Sequence, residues 1–512
     1  MTDGPGRGSG VLLHITSLPG GPHSGDLGPA AYAFADFLTN AGQRWWQTLP
    51  FNPMGNAGSP YSSASSFAGE PLLISPEHLV EDGLLEARAL DGVPSSAISW
   101  RASFSHARSV RSPLLEAAYH KFSDSRAQRD EFASFCERES AWLDDYCLFG
   151  ALARRFKTRA WDRWPRQFAD RHDDALREAR VELRERIDYL AFLQFLFDRQ
   201  WRALRDYCSD RGVGFIGDLP MFVALDSCDV WANREAFLLD ESGRPEFVSG
   251  APPDAFSADG QRWNNPLYDW DYHQQTGFDW WIRRLERQLS LFNRLRLDHF
   301  IGFSRYWQIP VDAESARDGQ WIPAPGQALL DRLQQSRGAM PFIAEDLGAV
   351  TQEVWDLRDR YQLPGMKVLQ FAFSDDASRS IHLPDNYPVA SVGFTGTHDS
   401  DTTLGWYQSL QRLSNEGHHH ASEQLAALHA WLGTSDEGAI VPRCIDKLSR
   451  SAADTVVFPI QDVLNLDGSH RMNEPGTTSG NWCWRMRAGQ LDERVPRWLR
   501  DLGQSTGRLS PA

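Results

Sequence analysis

Basic residues are scarce relative to acidic ones: 52 Lys and Arg stand against 68 Asp and Glu, a formal charge of −16. That balance excludes a polyanionic partner such as nucleic acid, because the summed field repels a phosphate backbone. Cysteine is sparse too, and Cys136, Cys147, Cys208, Cys228, Cys444 and Cys483 include no CxxC pair. A zinc ribbon and a dithiol redox motif are thereby excluded, and the cysteines are expected reduced and buried. No stretch approaches the ~18 apolar residues of a membrane span. The opening Met-Thr-Asp-Gly-Pro-Gly-Arg-Gly has no apolar run of signal-peptide length, so a cytoplasmic protein without membrane attachment is expected. Gly6, Gly8 and Gly10 lack the dinucleotide-loop spacing and precede a strand rather than a helix, so no nucleotide cofactor is implied. His418-His419-His420 does not make a metal site, since three adjacent residues cannot share one helix face.

What is present is a long chain able to bury a large core. Its 512 residues correspond to about three domains or to one barrel swollen by insertions. Hydrophobic residues at 41% and charged residues at 23% exclude disorder and collagen-like structure. Twenty tryptophans are many for such a chain. Most belong in the core, and a few are expected on a surface that stacks flat apolar faces, such as those of sugar rings.

Val11–Ile15 reads as a strand, Pro29–Ala41 as a helix ended by Gly42, and Trp45–Leu49 as a second strand. That β-α-β opening implies a parallel sheet. Residues 77–211 read mostly as helix, most clearly over Glu182–Arg211, where Leu183, Ile187, Leu190 and Leu193 recur at helical spacing. The strand rhythm resumes at Val213–Ile216, Arg294–Leu297, Phe342–Ala344, Met366–Phe371, Ser391–Thr395 and Thr455–Pro459. Eight strands with helices between most of them predict an α/β fold, a (β/α)8 TIM barrel with large, mostly helical insertions. The expected organisation is a loose tail over residues 1–10, then one catalytic barrel over 11–512. Within it lie a helical insertion at about 77–211 and an active-site loop insertion at about 225–275.

Several strands end in acids: Asp218 after Val213–Ile216, Asp298 after Arg294–Leu297, Glu345 after Phe342–Ala344, and Asp399 after His398. In a barrel the C-terminal strand ends form the active-site face. Period-two alternation puts Arg296 and Asp298 on one face, where the arginine can hold the aspartate ionised. Any one such acid could simply cap a helix. Asp298, Glu345 and Asp399 together, with Arg296, His299 and His398 beside them, form the equipment for glycoside cleavage, with one carboxyl charged and one protonated.

The runs Arg296-Leu-Asp298-His299-Phe300, Ile343-Ala-Glu345-Asp346-Leu-Gly and Thr395-Gly-Thr-His398-Asp399 resemble the amylomaltases, the 4-α-glucanotransferases of glycoside hydrolase family 77. So do Ser59-Pro-Tyr61, Gly217-Asp218-Leu-Pro, Pro252-Pro-Asp254, Gln261-Arg-Trp263-Asn-Asn-Pro and Arg471-Met-Asn473-Glu-Pro-Gly, and the likeness runs from about residue 8 to 487. The resemblance implies that Asp298 is the nucleophile, Glu345 the general acid/base and Asp399 the transition-state stabiliser of a retaining double displacement. It implies that Arg296 orients Asp298, that His299 and His398 donate to sugar hydroxyls, and that Tyr61 stacks on the sugar. Ser59, Asp218, Trp263, Asn473, Asp254 and Phe256 would be further substrate contacts. Maltooligosaccharides, amylose or starch-type α-glucans would be donor and acceptor, cyclic glucans would form by intramolecular transfer, and no metal or cofactor is required. A monomer or weak homodimer is expected. The sequence departs from the family pattern at Ala255 (usually Tyr), Asn56, Ile301, Ser400 and Glu70. Amylase-type hydrolases use the same trio, so hydrolysis is the alternative chemistry, and a non-catalytic glucan-binding protein is the second alternative.

Overall fold

The computed structural model describes residues 7–55, 58–93, 100–122, 126–253, 259–374 and 376–510. Among these residues twelve strands fall into two sheets. In chain order they are β1 (Gly8–Leu12), β2 (Trp45–Gln47), β3 (Gly214–Leu219), β4 (Phe247–Ala251), β5 (Gln261–Pro266), β6 (Arg294–Leu297), β7 (Arg305–Pro310), β8 (Gln320–Pro323), β9 (Phe342–Ala344), β10 (Gly365–Val368), β11 (Ser391–Phe394) and β12 (Thr455–Pro459). Eight close into a barrel in the order β1-β12-β11-β10-β9-β6-β3-β2, every neighbour parallel. These are the eight strands expected from the sequence, and the fold is a (β/α)8 barrel. Covered on both faces, such strands read as short apolar runs, and β1, β11 and β12 are buried along their whole length.

The glycine-rich start differs from expectation. Gly8, Ser9 and Gly10, assigned to a loose tail, are the first residues of β1 and pair with Thr455, Val456 and Val457 of β12. Glycine is there because of crowding: a Cβ on Gly10 would lie 2.5 Å from the Trp45 Cβ and carbonyl oxygen. Asp218 also shifts, from beyond a strand to within β3, where it registers beside Arg296 of β6.

A second sheet was not anticipated. Strands β5-β4-β7-β8 form an antiparallel sheet built from the segments that follow β3 and β6. β5 reads Gln-Arg-Trp-Asn-Asn-Pro, without the alternation that marks a half-buried strand. Its register shifts opposite Val248 and Gly250, and Asn264 takes a left-handed φ of 61°. A bulge of this kind blurs the period-two signal.

Between β2 and β3 the chain is mostly helical, ending in Arg184–Ser209. That helix puts Trp201 against Phe215 of β3 at 4.5 Å between ring centroids. It also pins the long loop after β2. Gln194 accepts from Gly69 N–H at 2.7 Å and donates to Gly69 O at 2.9 Å; Gln200 does the same to Ser75 at 2.7 and 3.1 Å. A buried loop must pair its backbone groups, and side-chain amides here replace the missing strand partner. Glu70, one of the unusual residues, serves the same end by accepting from Met54 and Leu72 N–H at 2.7 and 3.0 Å. Among the described residues no helix is long and apolar enough to cross a membrane.

Candidate active site

The C-terminal ends of β3, β6, β9 and β11 converge on one polar cluster. Arg296 is buried and its Nη1 lies 2.8 and 2.9 Å from the two oxygens of Asp218. The same nitrogen is 2.8 Å from Asp298 Oδ1, so one cation ties together the ends of two adjacent strands. The pairing follows from the alternation along β6 and from the parallel register that sets Asp218 beside Arg296. Asp298 N–H donates to Leu219 O at 3.0 Å and continues the ladder beyond the strand.

His299 follows in a left-handed conformation, φ 50°, which turns its N–H onto Glu345 Oε2 at 2.7 Å. Burial pushes the His299 imidazole down to about 4, against the upward pull of Asp298, so the ring is neutral at neutral pH. Trp263 meets that ring edge-on at 4.8 Å and 87°, and Phe222 flanks it at 6.4 Å. Glu345 itself is held between β6 and β9, its N–H on Leu297 O and its carbonyl accepting from Phe300. Burial drives its carboxyl well above the usual range; Asp298 and Asp346 add to the rise, while Arg296 and the His299 N–H oppose it. The carboxyl is thus set up to hold a proton and give it away.

Asp399 has the opposite surroundings. Its Oδ1 accepts from Asn473 Nδ2 at 2.7 Å and its Oδ2 lies 3.1 Å from His398 Nε2. Burial would raise its pKa, but His398, Asn473 and Arg296 outweigh that and hold the carboxyl well below the usual range. Arg471 fixes the backbone here, donating to Asp399 O at 3.2 Å and Asn473 O at 2.9 Å. Ser400 Oγ accepts from Thr397 N–H at 3.1 Å, which ties the turn that carries Asp399.

Tyr61 joins the two halves. Its hydroxyl donates to Asp218 Oδ2 at 2.7 Å and lies 2.8 Å from His398 Nε2, and its ring stacks on His398 at 5.3 Å and 14°. Ser59 Oγ accepts from Tyr61 N–H at 3.2 Å, so Ser59 acts on the position of the ring. Asp254 and Phe256 lie outside the described residues, as do Ala255 and Asn56. The other residues expected to act as catalytic groups or substrate contacts belong to this cluster. Trp482 was missed: it lies 5.4 Å from Tyr61 and 5.9 Å from His398, with φ 64°. A positive φ on so bulky a residue is uncommon, and no spacing rule announces it. Among the described residues no group of three His, Cys, Asp or Glu side chains is disposed to hold a metal. The histidine triplet sits exposed at the start of the helix His419–Leu432.

The sequence profile of glycoside hydrolase family 77, 4-α-glucanotransferase, matches residues 13–491. The chain belongs to this family. It is a 4-α-glucanotransferase by the same evidence: the enzyme of Thermus thermophilus so described is 46% identical over 98% of this chain and 99% of its own length. The chloroplastic/amyloplastic 4-α-glucanotransferase of Solanum tuberosum is 40% identical over 98% of this chain and 87% of its own. Among solved structures, the amylomaltase of Streptococcus agalactiae in complex with acarbose superposes with a TM-score of 0.93 at 35% identity, covering 98% of this chain and 99% of that one. The transferase therefore shares its fold with that amylomaltase.

Proposed function

We propose that the enzyme moves α-1,4-glucan segments between maltooligosaccharides or starch-type glucans by a retaining double displacement centred on Asp298, Glu345 and Asp399. An Asp298 oxygen attacks the anomeric carbon. The bond to the leaving oxygen breaks with its electron pair, and that oxygen takes the proton from Glu345. A covalent glycosyl-enzyme results. The 4-hydroxyl of a second glucan then attacks the same carbon, Glu345 takes up the hydroxyl proton, and Asp298 is released. Asp399, ionised, faces the positive charge that builds on the sugar ring in both steps.

The observation that carries this reading is the split between two acids in one cleft, at the ends of β9 and β11 on either side of β10, Glu345 pushed up and Asp399 held down. Arg296 orients the nucleophile at 2.8 Å. His398, Tyr61, Asp218, Asn473, Trp263 and the neutral His299 line the same cleft and suit hydroxyls and sugar faces. The acarbose complex of the Streptococcus agalactiae amylomaltase supports an α-glucan as ligand. Cyclic glucans form when the 4-hydroxyl at the far end of the bound chain is the attacking group. All six cysteines are unpaired, which fits a cytoplasmic setting.

Incubation with maltotriose tests the reaction. Glucose, maltose and longer maltooligosaccharides should appear while total reducing ends stay constant. A steady rise in reducing ends would mean hydrolysis instead, and unchanged maltotriose would mean a binding protein.

A further inference from the structure

The seams of the barrel are unequal. β10 and β11 share four registered pairs and β6 and β9 share three, but β9 and β10 share one, Gly365 with Ala344. Past Ala344 the chain turns tightly, Asp346 N–H donating to Ala344 O at 3.0 Å, with Glu345 at the apex. Glu345 is fastened to β6 on one side. On the other side the ladder has run out, and a side chain takes its place. Asp346 Oδ1 accepts from Met366 N–H of β10 at 2.8 Å, where a strand carbonyl would otherwise stand. Its Oδ2 pairs with Arg358 Nη1 at 2.5 Å, and Lys367 Nζ lies 3.8 Å away. The Asp346 side chain has no exposed surface. Gly365 makes room for it, since a Cβ there would come within 2.6 Å of Oδ2.

We infer that Asp346 is the positioning residue of the general acid: its buried carboxylate replaces the missing β9–β10 ladder and fixes the turn from which Glu345 reaches the cleft. The inference rests on Glu345 being the acid/base. Buried carboxylates that accept a backbone N–H and an arginine are strong, directional anchors. A one-ångström error in the acid costs far more in proton transfer than in binding.

Charge as well as geometry is involved. Asp346 is faced by Arg358 of the helix Gln352–Arg360, itself paired with Asp359, and by Lys367 of β10. Glu345 is faced by Arg296 and Asp298 at the end of β6 and by the His299 N–H. Neutralising Asp346 removes a negative neighbour of Glu345 and leaves Arg358 paired with Asp359 alone, and both changes favour loss of the Glu345 proton. Removing the Arg358 charge does the reverse.

The test uses the full-length enzyme, Asp346→Asn and Arg358→Gln, with two donors. Maltotriose has a leaving sugar that needs a proton; α-maltosyl fluoride has a leaving fluoride that does not. For Asp346→Asn, kcat on maltotriose should fall by about 10²-fold with KM little changed, while the first turnover of fluoride release stays close to wild type. The alkaline limb of the pH profile should move down for Asp346→Asn and up for Arg358→Gln. Equal losses on both donors, or limbs that stay put or move together, overturn the inference. If Asp346→Asn fails to fold, the upward shift in Arg358→Gln remains the deciding measurement. Glu345→Gln serves as the reference. If it releases fluoride but not sugar, the acid assignment stands whatever Asp346 does. If it keeps both or loses both, that assignment itself fails.

Discussion

Glu345 and Asp399 stand at the ends of β9 and β11 in the same cleft, yet their protonation is driven in opposite directions. Among the described residues Glu345 has a single side-chain hydrogen bond, from a backbone N–H, and two negative neighbours, Asp298 and Asp346. Asp399 is met by Asn473 and His398 and feels Arg296. Burial pushes both the same way, so the donors decide the outcome. A barrel supplies equivalent strand ends; the groups that meet each carboxyl decide whether it is driven towards the protonated or the ionised form.

The comparison breaks most completely when a carboxyl is deleted. Glu345→Gln should lower turnover of maltotriose by about 10²–10⁴-fold, the range for loss of a general acid, and Asp298→Ala by more, with circular dichroism unchanged. Near-normal turnover in either variant would remove that residue from the chemistry.

A smaller effect is expected from Asn473→Ala. A hydrogen bond to a charged group is worth ~1.5–3 kcal/mol, so kcat/KM should fall about 10- to 100-fold. The carboxyl of Asp399 is depressed in the folded enzyme, and in the proposed mechanism it acts ionised. Losing a donor raises its pKa and moves the acid limb of the pH profile upward. An acid limb that stays in place would show that Asn473 does not restrain Asp399.

The smallest effect is on stability, and its sign is opposite for the two acids. Glu345 is raised in the folded state, so ionised Glu345 disfavours folding as pH climbs from its unfolded value of ~4.3 towards its folded one. Glu345→Gln should therefore melt above the parent at neutral pH, with the gain shrinking as the pH falls towards that unfolded value. Asp399, depressed, stabilises the fold above its unfolded value of ~3.9 and loses that contribution as the pH drops. Asp399→Asn should accordingly melt below the parent at neutral pH, by differential scanning fluorimetry. Shifts of the same sign for both variants would undo the distinction drawn between them.

The sequence by itself determined the eight barrel strands and the acids at their ends. Strands covered on both faces are short apolar runs, and period two places Arg296 beside Asp298 without further information. The runs around Asp298, Glu345 and Asp399 also carried the family resemblance. Only the tertiary structure decided the rest. Gly8 to Gly10 look loose as a string and are strand because they pair with β12, with glycine at Gly10 where Trp45 leaves no room for a side chain. The antiparallel sheet hides behind a bulge at Asn264 and a polar β5. Tyr61 reaches Asp218 and His398 across 157 and 337 residues, and Asn473 reaches Asp399 across 74. Hydrogen bonds act over about 3 Å, and sequence spacing is silent about groups that far apart in the chain. Which carboxyl holds the proton is therefore settled by the contacts that folding makes.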